Sequence, residues 1–344
     1  MNTNKRATIK QVAKAAGVST QTVSRVINDR PDVSRETRVR IQQIIQDLDY
    51  QPSALARSLI QQRSFTLGVV TAGLKFIGPS RTLNGITSKA EELGYALLLE
   101  ELPRFETENI KPLLQNLLAR HVDGIVWAVP QVGDNRRWLD DVLIGVPVPV
   151  VFLAMQPRAG VATVCVDNYS GGDLAIQHLL AQGRRKIGHI SGPLDWWEAH
   201  QRKQAWQETM AKAGAQVGDR QCSEGNWSSS SGEAAFVQLL QSYPEMDAVF
   251  VGNDQMALGV LQSANRRGMN VPGALAVVGF DNIAESAYSW PALTTISQDQ
   301  QELGCRAVQE LVKQIEAVKR DEKIEPLNIL LSTELVVRES SVIQ

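Results

Sequence analysis

Cysteine is scarce in this sequence, and its few copies are placed where they cannot define a fold. Cys165, Cys222 and Cys305 are odd in number and far apart, so they supply neither a disulfide framework nor the paired spacing of a zinc site. Histidine is nearly as scarce, with four copies and none at the spacing of a metalloprotease motif. We therefore expect reduced thiols, no bound metal and no cofactor.

Long apolar runs are also missing. No stretch approaches the roughly 18 consecutive apolar residues that a membrane span needs. The opening residues MNTNKRATIK lack the apolar centre of a signal peptide. We expect a protein that stays in the cytoplasm and does not enter a membrane.

Motifs of catalysis are absent as well. The sequence contains no phosphate-binding GxxxxGK[ST] loop, no G-x-S-x-G and no H-E-x-x-H. Asp281 and Glu285 are two acids on one short turn, a pair too common to indicate a glycosidase. The sequence therefore favours a binding protein over an enzyme.

Charge is present in ordinary amount but is distributed unevenly. The whole chain of 344 residues has a net charge of -2. Residues 1–63 carry eleven Lys and Arg against five Asp and Glu, about +6, and the remainder carries 24 against 32, about -8. A basic segment joined to an acidic body is typical of a polyanion-binding domain attached to a body that does not bind the polyanion.

The stretch from Thr8 to Asn28 has the pattern of two short helices joined by a tight turn. Gly17 can adopt the left-handed conformation that ends a helix, and Ser19 can cap the next helix. Apolar residues recur at helical spacing in the first half, at Ile9, Val12, Ala13 and Ala16. This is the pattern of a helix-turn-helix.

In the second helix the apolar residues Val23, Val26 and Ile27 point inward, which leaves a polar face. Gln can bond adenine and Arg can bond guanine in two places each, whereas Ser, Thr and Asn reach phosphates or bases. The alternative is a solvated helix face with no partner. The polar face consists of Thr20, Gln21, Ser24, Arg25 and Asn28.

A third helix and a marginal segment follow. Ser34 can cap the third helix, while Arg35, Arg38 and Arg40 stay outside, where they could meet phosphates. The segment Pro52 to Leu59 suits a helix of about two turns, which is marginal in water by itself. The apolar stripe of the third helix is expected at Ile41, Ile44, Ile45 and Leu48.

From Phe65 onward, apolar runs alternate with helical patterns in two series. The runs LGVVT, DGIVWAV and VPVVFLA belong to the first series, and RKIGHISG, MDAVFVG and ALAVVGFD to the second. Strands alternating with helices predict parallel sheets built from right-handed crossovers. The expected fold is therefore α/β, with a helix-turn-helix unit followed by two open parallel sheets.

Open parallel sheets bind ligands at the carboxyl ends of their strands, where polar side chains occur here. Asn253 follows VFVG, Asp281 follows VVGF, and Arg202 opens a helix after the loop SGPLDWW. Such residues could bind sugar hydroxyls, with Trp227 as a platform against the apolar face of a ring. Structural roles are the alternative for several polar and aromatic residues here. Asp254 could cap a helix and Asp281 could cap a turn. Trp196 and Trp197 could pack at the rim, or either could line an extended subsite.

Four motifs, AGVSTQTVSRVIND, LDYQPSALARSL, VGNDQMALG and VVGFDN, resemble those of the lactose repressor (LacI/GalR-type) family of bacterial transcription regulators. The resemblance runs from Thr8 to about Arg338. It implies a headpiece over residues 1–51, a hinge helix and linker over 52–64, and a core like the periplasmic sugar-binding proteins. The two core lobes would comprise residues 65–166 with 295–326, and 167–294 with 327–340, with crossings near Val166, Thr294 and Leu327.

The resemblance also implies functional residues. Thr20, Gln21 and Arg25 match base-reading positions, and Leu59 matches a leucine that wedges into the minor groove. The residues implied to contact DNA are Thr8, Thr20, Gln21, Thr22, Ser24, Arg25, Asn28, Ala56 and Leu59. Those implied to contact a ligand are Phe76, Gly78, Pro79, Arg104 and Gln298 on the first lobe, and Arg202, Trp227, Asn253 and Asp281 on the second.

The function implied is that of a repressor whose affinity for a double-stranded DNA operator is controlled by a small sugar or glycoside. The resemblance implies an asparagine and an aspartate in the cleft, where this sequence has Ala128 and Ala154. The ligand is therefore either a galactoside or a larger glycoside. The alternative is a purine or nucleoside that acts as a corepressor. A binding protein serving a transporter would need a signal peptide and no headpiece. The ending RESSVIQ has no apolar heptad, so we expect a homodimer.

Overall fold

The computed structural model describes residues 7–27, 29–50, 63–106, 109–133, 135, 145–322 and 325–342. The chain divides into two compact units, one ending at Phe65 and one beginning at Thr66. Three expected DNA contacts, Asn28, Ala56 and Leu59, lie outside the described residues, as does the expected hinge helix. No helix in the described ranges is long and apolar enough to cross a membrane.

The described residues of the first unit form three helices, α1 (Ile9–Ala16), α2 (Thr20–Ile27) and α3 (Arg35–Asp47). Their caps are those that the sequence predicts. Gly17 has a φ of 65° at the end of α1, and Ser19 Oγ accepts the backbone N–H of Thr22 at 3.1 Å. The core of this unit consists of Val12, Ala13, Ala16, Val23, Val26 and Ile41. The helix-turn-helix prediction is therefore confirmed.

One member of the predicted α3 stripe does not join this core. Leu48 is 39% exposed, since it follows the last helical residue and forms the C-cap of α3. Ser34 does cap the start of the helix, with its Oγ accepting the N–H of Thr37 at 3.3 Å. Tyr50 packs against the core instead.

In the second unit, the first lobe is built on a fully parallel sheet with strand order β11-β5-β4-β3-β1-β2. Its strands, numbered in chain order, are β1 (Thr66–Ala72), β2 (Ala96–Leu102), β3 (Gly124–Ala128), β4 (Val150–Phe152), β5 (Ala162–Val166) and β11 (Asn328–Leu331). Among the described residues, the helices of this lobe are α4 (Ile77–Glu92), α5 (Lys111–Ala119) and α10 (Gln300–Lys319).

The second lobe is built on a sheet with strand order β12-β10-β9-β8-β6-β7, parallel except for β12. Its strands are β6 (Ile187–Ser191), β7 (Cys222–Glu224), β8 (Ala248–Val251), β9 (Ala276–Asp281), β10 (Thr294–Ser297) and β12 (Glu334–Val336). Its helices are α6 (Asn168–Ala181), α7 (Trp197–Lys212), α8 (Ser229–Ser242) and α9 (Asp254–Arg266). The predicted α/β class with two parallel-dominated sheets is confirmed.

Two crossings between the lobes differ from those expected. Thr294 pairs with Val278 of β9, so β10 belongs to the second sheet and the chain crosses after Ser297. Strand β11 pairs with β5, so the last crossing follows Leu331 and not Leu327. The strands concerned have only four residues each, too few for an apolar pattern to reveal which sheet they join.

Candidate functional site

The polar face of α2 presents several of the expected DNA contacts to solvent. Thr20, Gln21 and Arg25 are exposed and Ser24 is half-buried. Nη1 of Arg25 lies 3.2 Å from Oδ2 of Asp32, in a pair whose side chains are 48% and 53% exposed. Such an exposed pair contributes little stability, so Arg25 can exchange it for a base.

Two expected contacts also have a structural role at helix starts. Thr8 caps α1 and forms a capping box with Gln11, whose side chain accepts the N–H of Thr8 at 2.8 Å. Thr22 Oγ1 lies 2.9 Å from Ser19 Oγ. Helix N-termini direct free N–H groups outward, which suits phosphate binding.

Arg38 is half-buried, unlike the exposed Arg35 and Arg40. Its Nη1 lies 2.6 Å from Oδ1 of Asp29, and its Nη2 donates to the carbonyl of Arg30. Arg38 therefore ties α3 to the turn after α2, whereas Arg35 and Arg40 stay exposed.

In the second unit, a cleft opens between the carboxyl ends of the two sheets. Most of the expected ligand contacts line it, namely Phe76, Gly78, Pro79, Arg202, Trp227, Asn253, Asp281 and Gln298. Arg104 is exposed and is not part of the lining, because the next residue, Phe105, turns its ring inward. Eight of the nine expected residues therefore lie in one cavity.

Arg202 is the buried cation of the cleft, with 4% of its surface exposed. Its Nε donates to Asn168 Oδ1 at 2.9 Å, and its Nη1 donates to the carbonyl of Gly252. The guanidinium also lies 3.6 Å from the centre of the Phe280 ring. These contacts fix its direction, while burial lowers the pKa of Arg202 and the neighbouring Asp281 raises it.

Asp281 ends β9 with a φ of 118°, a conformation that is strained for a residue other than glycine. Its Oδ1 accepts a hydrogen bond from Gln298 Nε2 at 2.5 Å. Burial raises the pKa of Asp281 to about 6, against the opposing effect of Arg202. Gln298 was expected on the first lobe, but it directly follows β10 and so approaches Asp281 from the neighbouring strand of the second sheet.

Asn253, and not Asp254, is the helix cap that the sequence suggests. Asn253 is the N-cap of α9, since its Oδ1 accepts the N–H of Met256 at 3.0 Å, and its Nδ2 donates to the Trp227 carbonyl at 3.1 Å. Asp254 is fully buried within α9 and is not the cap. It accepts hydrogen bonds from the Ile283 N–H at 3.0 Å and from the hydroxyls of Ser286 and Thr295 at 2.6 Å each.

The asparagine therefore lines the cleft while also holding the Trp227 loop. Burial, followed by the charge of Asp281, raises the pKa of Asp254 to about 7. Asp254 lies behind the cleft wall and joins the residues after β9 to β10. It supports the site without lining it.

Trp227 is 9% exposed and has a φ of 72°. Its ring packs directly on Gly192: a Cβ at that position would lie 2.1 Å from Cη2 of the ring. Within the described part of the chain, the buried indole Nε1 has no hydrogen-bond partner. The indole is therefore rigidly placed, with a donor that remains available.

Aromatic rings form a row across the cleft that the sequence did not predict. Phe76 and Phe105 of the first lobe have ring centres 5.8 Å apart. Phe105 meets Trp196 of the second lobe edge-on at 4.7 Å, and Trp196 lies 5.8 Å from Trp227. The tryptophan doublet after SGPLD was the available signal, and Trp196, Trp197 and Glu198 all line the cleft.

The first-lobe wall of the cleft is mostly apolar. Phe76 precedes α4, and Gly78 and Pro79 lie in its first turn. Ala128 ends β3, and Ala154 follows β4. The hydrogen-bonding groups described above come from the second lobe. On the first-lobe wall, Thr82 Oγ1 donates to Gln300 Oε1 at 2.8 Å.

The lobes also touch through a hydrogen bond outside the aromatic row. The Gly133 N–H of the first lobe donates to Oδ2 of Asp195 at 2.9 Å. Asp195 directly precedes Trp196, so this bond and the Phe105–Trp196 contact lie on the same side of the cleft. The two walls are thereby connected at one edge.

Comparison with known proteins gives a consistent result for both units. A family model described as bacterial regulatory proteins, lacI family, matches residues 8–53. A second model, described as a periplasmic binding protein-like domain, matches residues 176–341. The lactose operon repressor of Escherichia coli (strain K12) is 33% identical over 340 residues, which cover 98% of this chain and 91% of that repressor.

Solved structures are similar over the same extent. The lac repressor dimer bound to operator and the anti-inducer ONPF has a TM-score of 0.86 at 30% identity, covering 98% of this chain and 100% of that chain. The complex of transcriptional regulator CelR with cellobiose has a TM-score of 0.73 at 31% identity, covering 97% and 100%. The chain therefore belongs to the lacI family of bacterial regulatory proteins, which are DNA-binding transcription regulators.

Proposed function

We propose that this protein is a homodimeric repressor whose affinity for a DNA operator is controlled by a small carbohydrate bound in the interlobe cleft. The helix-turn-helix unit supplies the DNA-binding surface. The lac repressor relative is a dimer in its solved operator complex. A two-fold dimer with one headpiece per chain would recognise a pseudo-palindromic site.

The observation that carries the carbohydrate proposal is the chemistry of the second-lobe wall. Arg202 and Asp281 place a charged donor and a charged acceptor near each other, and Trp227 offers an aromatic ring in the same cavity. A sugar ring presents paired hydroxyls on its edge and an apolar face, and this set of groups complements both.

We infer that the cleft binds its ligand without turnover. The relatives compared above are regulators and not enzymes. The Asp281 carboxylate is held by Gln298 and lies beside Arg202, an arrangement suited to accepting hydroxyl hydrogen bonds. Sugars incubated with the protein should therefore be recovered unchanged, as analysed by chromatography.

The test begins by selecting operator DNA from a library of random pseudo-palindromes. The bound DNA is then titrated with neutral sugars and, separately, with purines and nucleosides, while fluorescence anisotropy reports operator release or retention. A sugar that changes operator affinity at least tenfold supports the proposal. If all sugars are inert and a purine changes operator affinity, the carbohydrate assignment is wrong.

A purine corepressor is the second candidate because of one observation, the aromatic row from Phe76 to Trp227. Flat rings stack on a base as well as on a sugar. The direction of the effect separates the two: a corepressor strengthens operator binding, whereas an inducer weakens it. The same anisotropy titration reads both directions.

A further inference from the structure

Two buried polar atoms in the cleft lack hydrogen-bond partners among the described residues. One is Oε2 of Glu198, an acceptor, and the other is Nε1–H of Trp227, a donor. Both side chains line the cleft. Burying a polar atom without a partner is unfavourable, and native structures rarely do so without a functional reason. The pair therefore indicates groups that a ligand satisfies.

Glu198 lies on the same helix as Arg202, about one turn away, and the two charges interact. It is the second residue of α7, four residues before Arg202, so the two lie on one side of the helix about 6 Å apart along its axis. Trp196 is the N-cap residue of α7, and its side chain forms no capping hydrogen bond. The buried Oε2 of Glu198 has no hydrogen-bond partner among the described residues.

The surroundings of Glu198 are aromatic. Trp196 and Trp197 precede it and line the same cavity. Trp196 contacts Phe105 of the opposite lobe edge-on at 4.7 Å and Trp227 at 5.8 Å. A ligand group at Glu198 would therefore be enclosed by aromatic rings from both lobes.

The charges in the described lining are few and unbalanced. Glu198 and Asp281 are acids, and Arg202 is the single base that accompanies them there. Arg202 already donates to Asn168 and to the Gly252 carbonyl. A ligand carrying a phosphate or carboxylate would meet two acids in a buried site, which disfavours it strongly.

We propose that Glu198, Trp196 and the Trp227 indole N–H form a second subsite for a second sugar ring, so that the effector is a neutral glycoside of at least two rings. Arg202 and Asp281 bind one ring. A hydroxyl of the other ring donates to Glu198 Oε2, and an oxygen accepts from Trp227 Nε1. This inference rests on the proposed carbohydrate function.

The test measures binding by calorimetry to the full-length protein. The two-ring probes are cellobiose, gentiobiose, lactose, maltose and sucrose. The single-ring probes are the methyl glucosides and galactosides, with glucose 6-phosphate, glucuronic acid and glucosamine as charged probes. We expect the best two-ring sugar to bind at least tenfold more tightly than any single-ring or charged probe.

Glu198→Ala should weaken the best two-ring sugar by at least about tenfold and change single-ring binding by less than about twofold. Glu198→Gln, which keeps an acceptor oxygen, should recover part of the loss. The matched control is Glu208→Ala, which removes an exposed carboxylate from the same helix outside the lining and should change neither affinity. Operator binding and melting temperature show whether each variant folds.

Several outcomes would overturn the second subsite: tightest binding by a single-ring or charged probe, equal weakening of both ring classes by Glu198→Ala, or no binding of any two-ring probe. If a single-ring sugar binds more tightly than every two-ring probe and changes operator affinity, the second subsite is wrong and the proposed function stands. If no sugar changes operator affinity, the proposed function itself fails.

Discussion

Nη1 of Arg202 lies 4.0 Å from Oδ1 of Asp281, at the outer limit of an ion pair. The same oxygen accepts a hydrogen bond from Gln298 at 2.5 Å. A ligand hydroxyl placed between the two charged groups can therefore donate to the carboxylate and accept from the guanidinium. The gap between Arg202 and Asp281 is the central feature of the proposed sugar site.

Replacing Asp281 with Asn should remove the charged acceptor while preserving its shape. We expect effector affinity to fall by about 1–3 kcal/mol, roughly five- to 150-fold. Operator binding should survive, since the headpiece has its own core. With an inducing effector, the variant would remain on DNA at concentrations that release the wild type, as measured by anisotropy.

Asp219→Asn is the control for that experiment, because Asp219 is an exposed acid of the same lobe. Asp281→Asn protein that releases operator at the wild-type sugar concentration would contradict the cleft assignment. Loss of DNA binding would instead indicate a corepressor or a structural role for Asp281.

Gly192→Ala tests the placement of the Trp227 ring. The new Cβ would lie 2.1 Å from the ring, so the indole must move. We expect at least about a tenfold loss of sugar affinity, with a shifted tryptophan emission spectrum. Gly218→Ala is the matched control, since a Cβ there meets nothing within 4 Å. Unchanged sugar affinity in Gly192→Ala would show that the ring position is unimportant.

The buried Asp254 should affect stability in a pH-dependent way. Burial and Asp281 raise the pKa of Asp254 from 3.8 to about 7, so the folded protein holds this proton more tightly than the unfolded chain does. The stabilisation that arises from the raised pKa of Asp254 is fully present below pH 3.8 and is lost as the pH rises through about 7. Asp254→Asn should therefore gain stability relative to the wild type as pH rises, by up to about 1.4 kcal/mol per pH unit.

Urea unfolding of both proteins between pH 5 and 8 measures this difference. The amide keeps one acceptor, and the hydroxyls of Ser286 and Thr295 can rotate to adapt to it. A variant that loses stability relative to the wild type as the pH rises would show that Asp254 ionises readily in the folded state, held by its three hydrogen bonds.

Arg25→Ala should flatten the sequence preference of the headpiece. An arginine bonded to a base edge contributes about 1–3 kcal/mol of discrimination at that position. Arg40→Ala, on the exposed side of α3, should weaken binding to all sequences alike if it meets phosphate. Binding to a library of operator variants distinguishes these patterns. Equal loss on all sequences in Arg25→Ala would make Arg25 a phosphate contact.

Tyr288 and Trp290 should contribute to the dimer interface. They are 89% and 86% exposed, which is unusual for large aromatic side chains so close together. Changing both to Ser should shift the protein towards monomer in analytical ultracentrifugation and weaken operator binding. Val318→Ser, at an apolar residue that is 65% exposed elsewhere, is the control. A double variant that remains dimeric would place the interface elsewhere.

The sequence predicted the headpiece closely because each of its signals is local. The left-handed Gly17, the Ser19 and Ser34 caps and the buried Val23 all depend on residues within a few positions. The main strands of the core were recognisable for a similar reason, since buried parallel strands are nearly continuous apolar runs.

The site was less predictable because it depends on contacts distant in sequence. Gln298 meets Asp281 only because β10 pairs with β9, and β10 was too short to be recognised. Strand ends indicated Asn253 and Asp281, whereas Arg104 was implied by the family resemblance. Neither signal determines side-chain orientation, and it is the neighbouring Phe105 that faces inward. The unpartnered atom of Glu198 emerges only from three-dimensional packing.

The division of the cleft into a polar second lobe and an apolar first lobe has a thermal consequence. Hydrogen bonds from a ligand to Arg202 and Asp281 would contribute favourable enthalpy. Apolar ligand surface buried against the wall around Phe76 and Ala128 would lower the heat capacity of the complex. Because apolar burial stabilises less on cooling, we expect the first-lobe contribution to effector binding to weaken more at low temperature than the polar contribution of the second lobe.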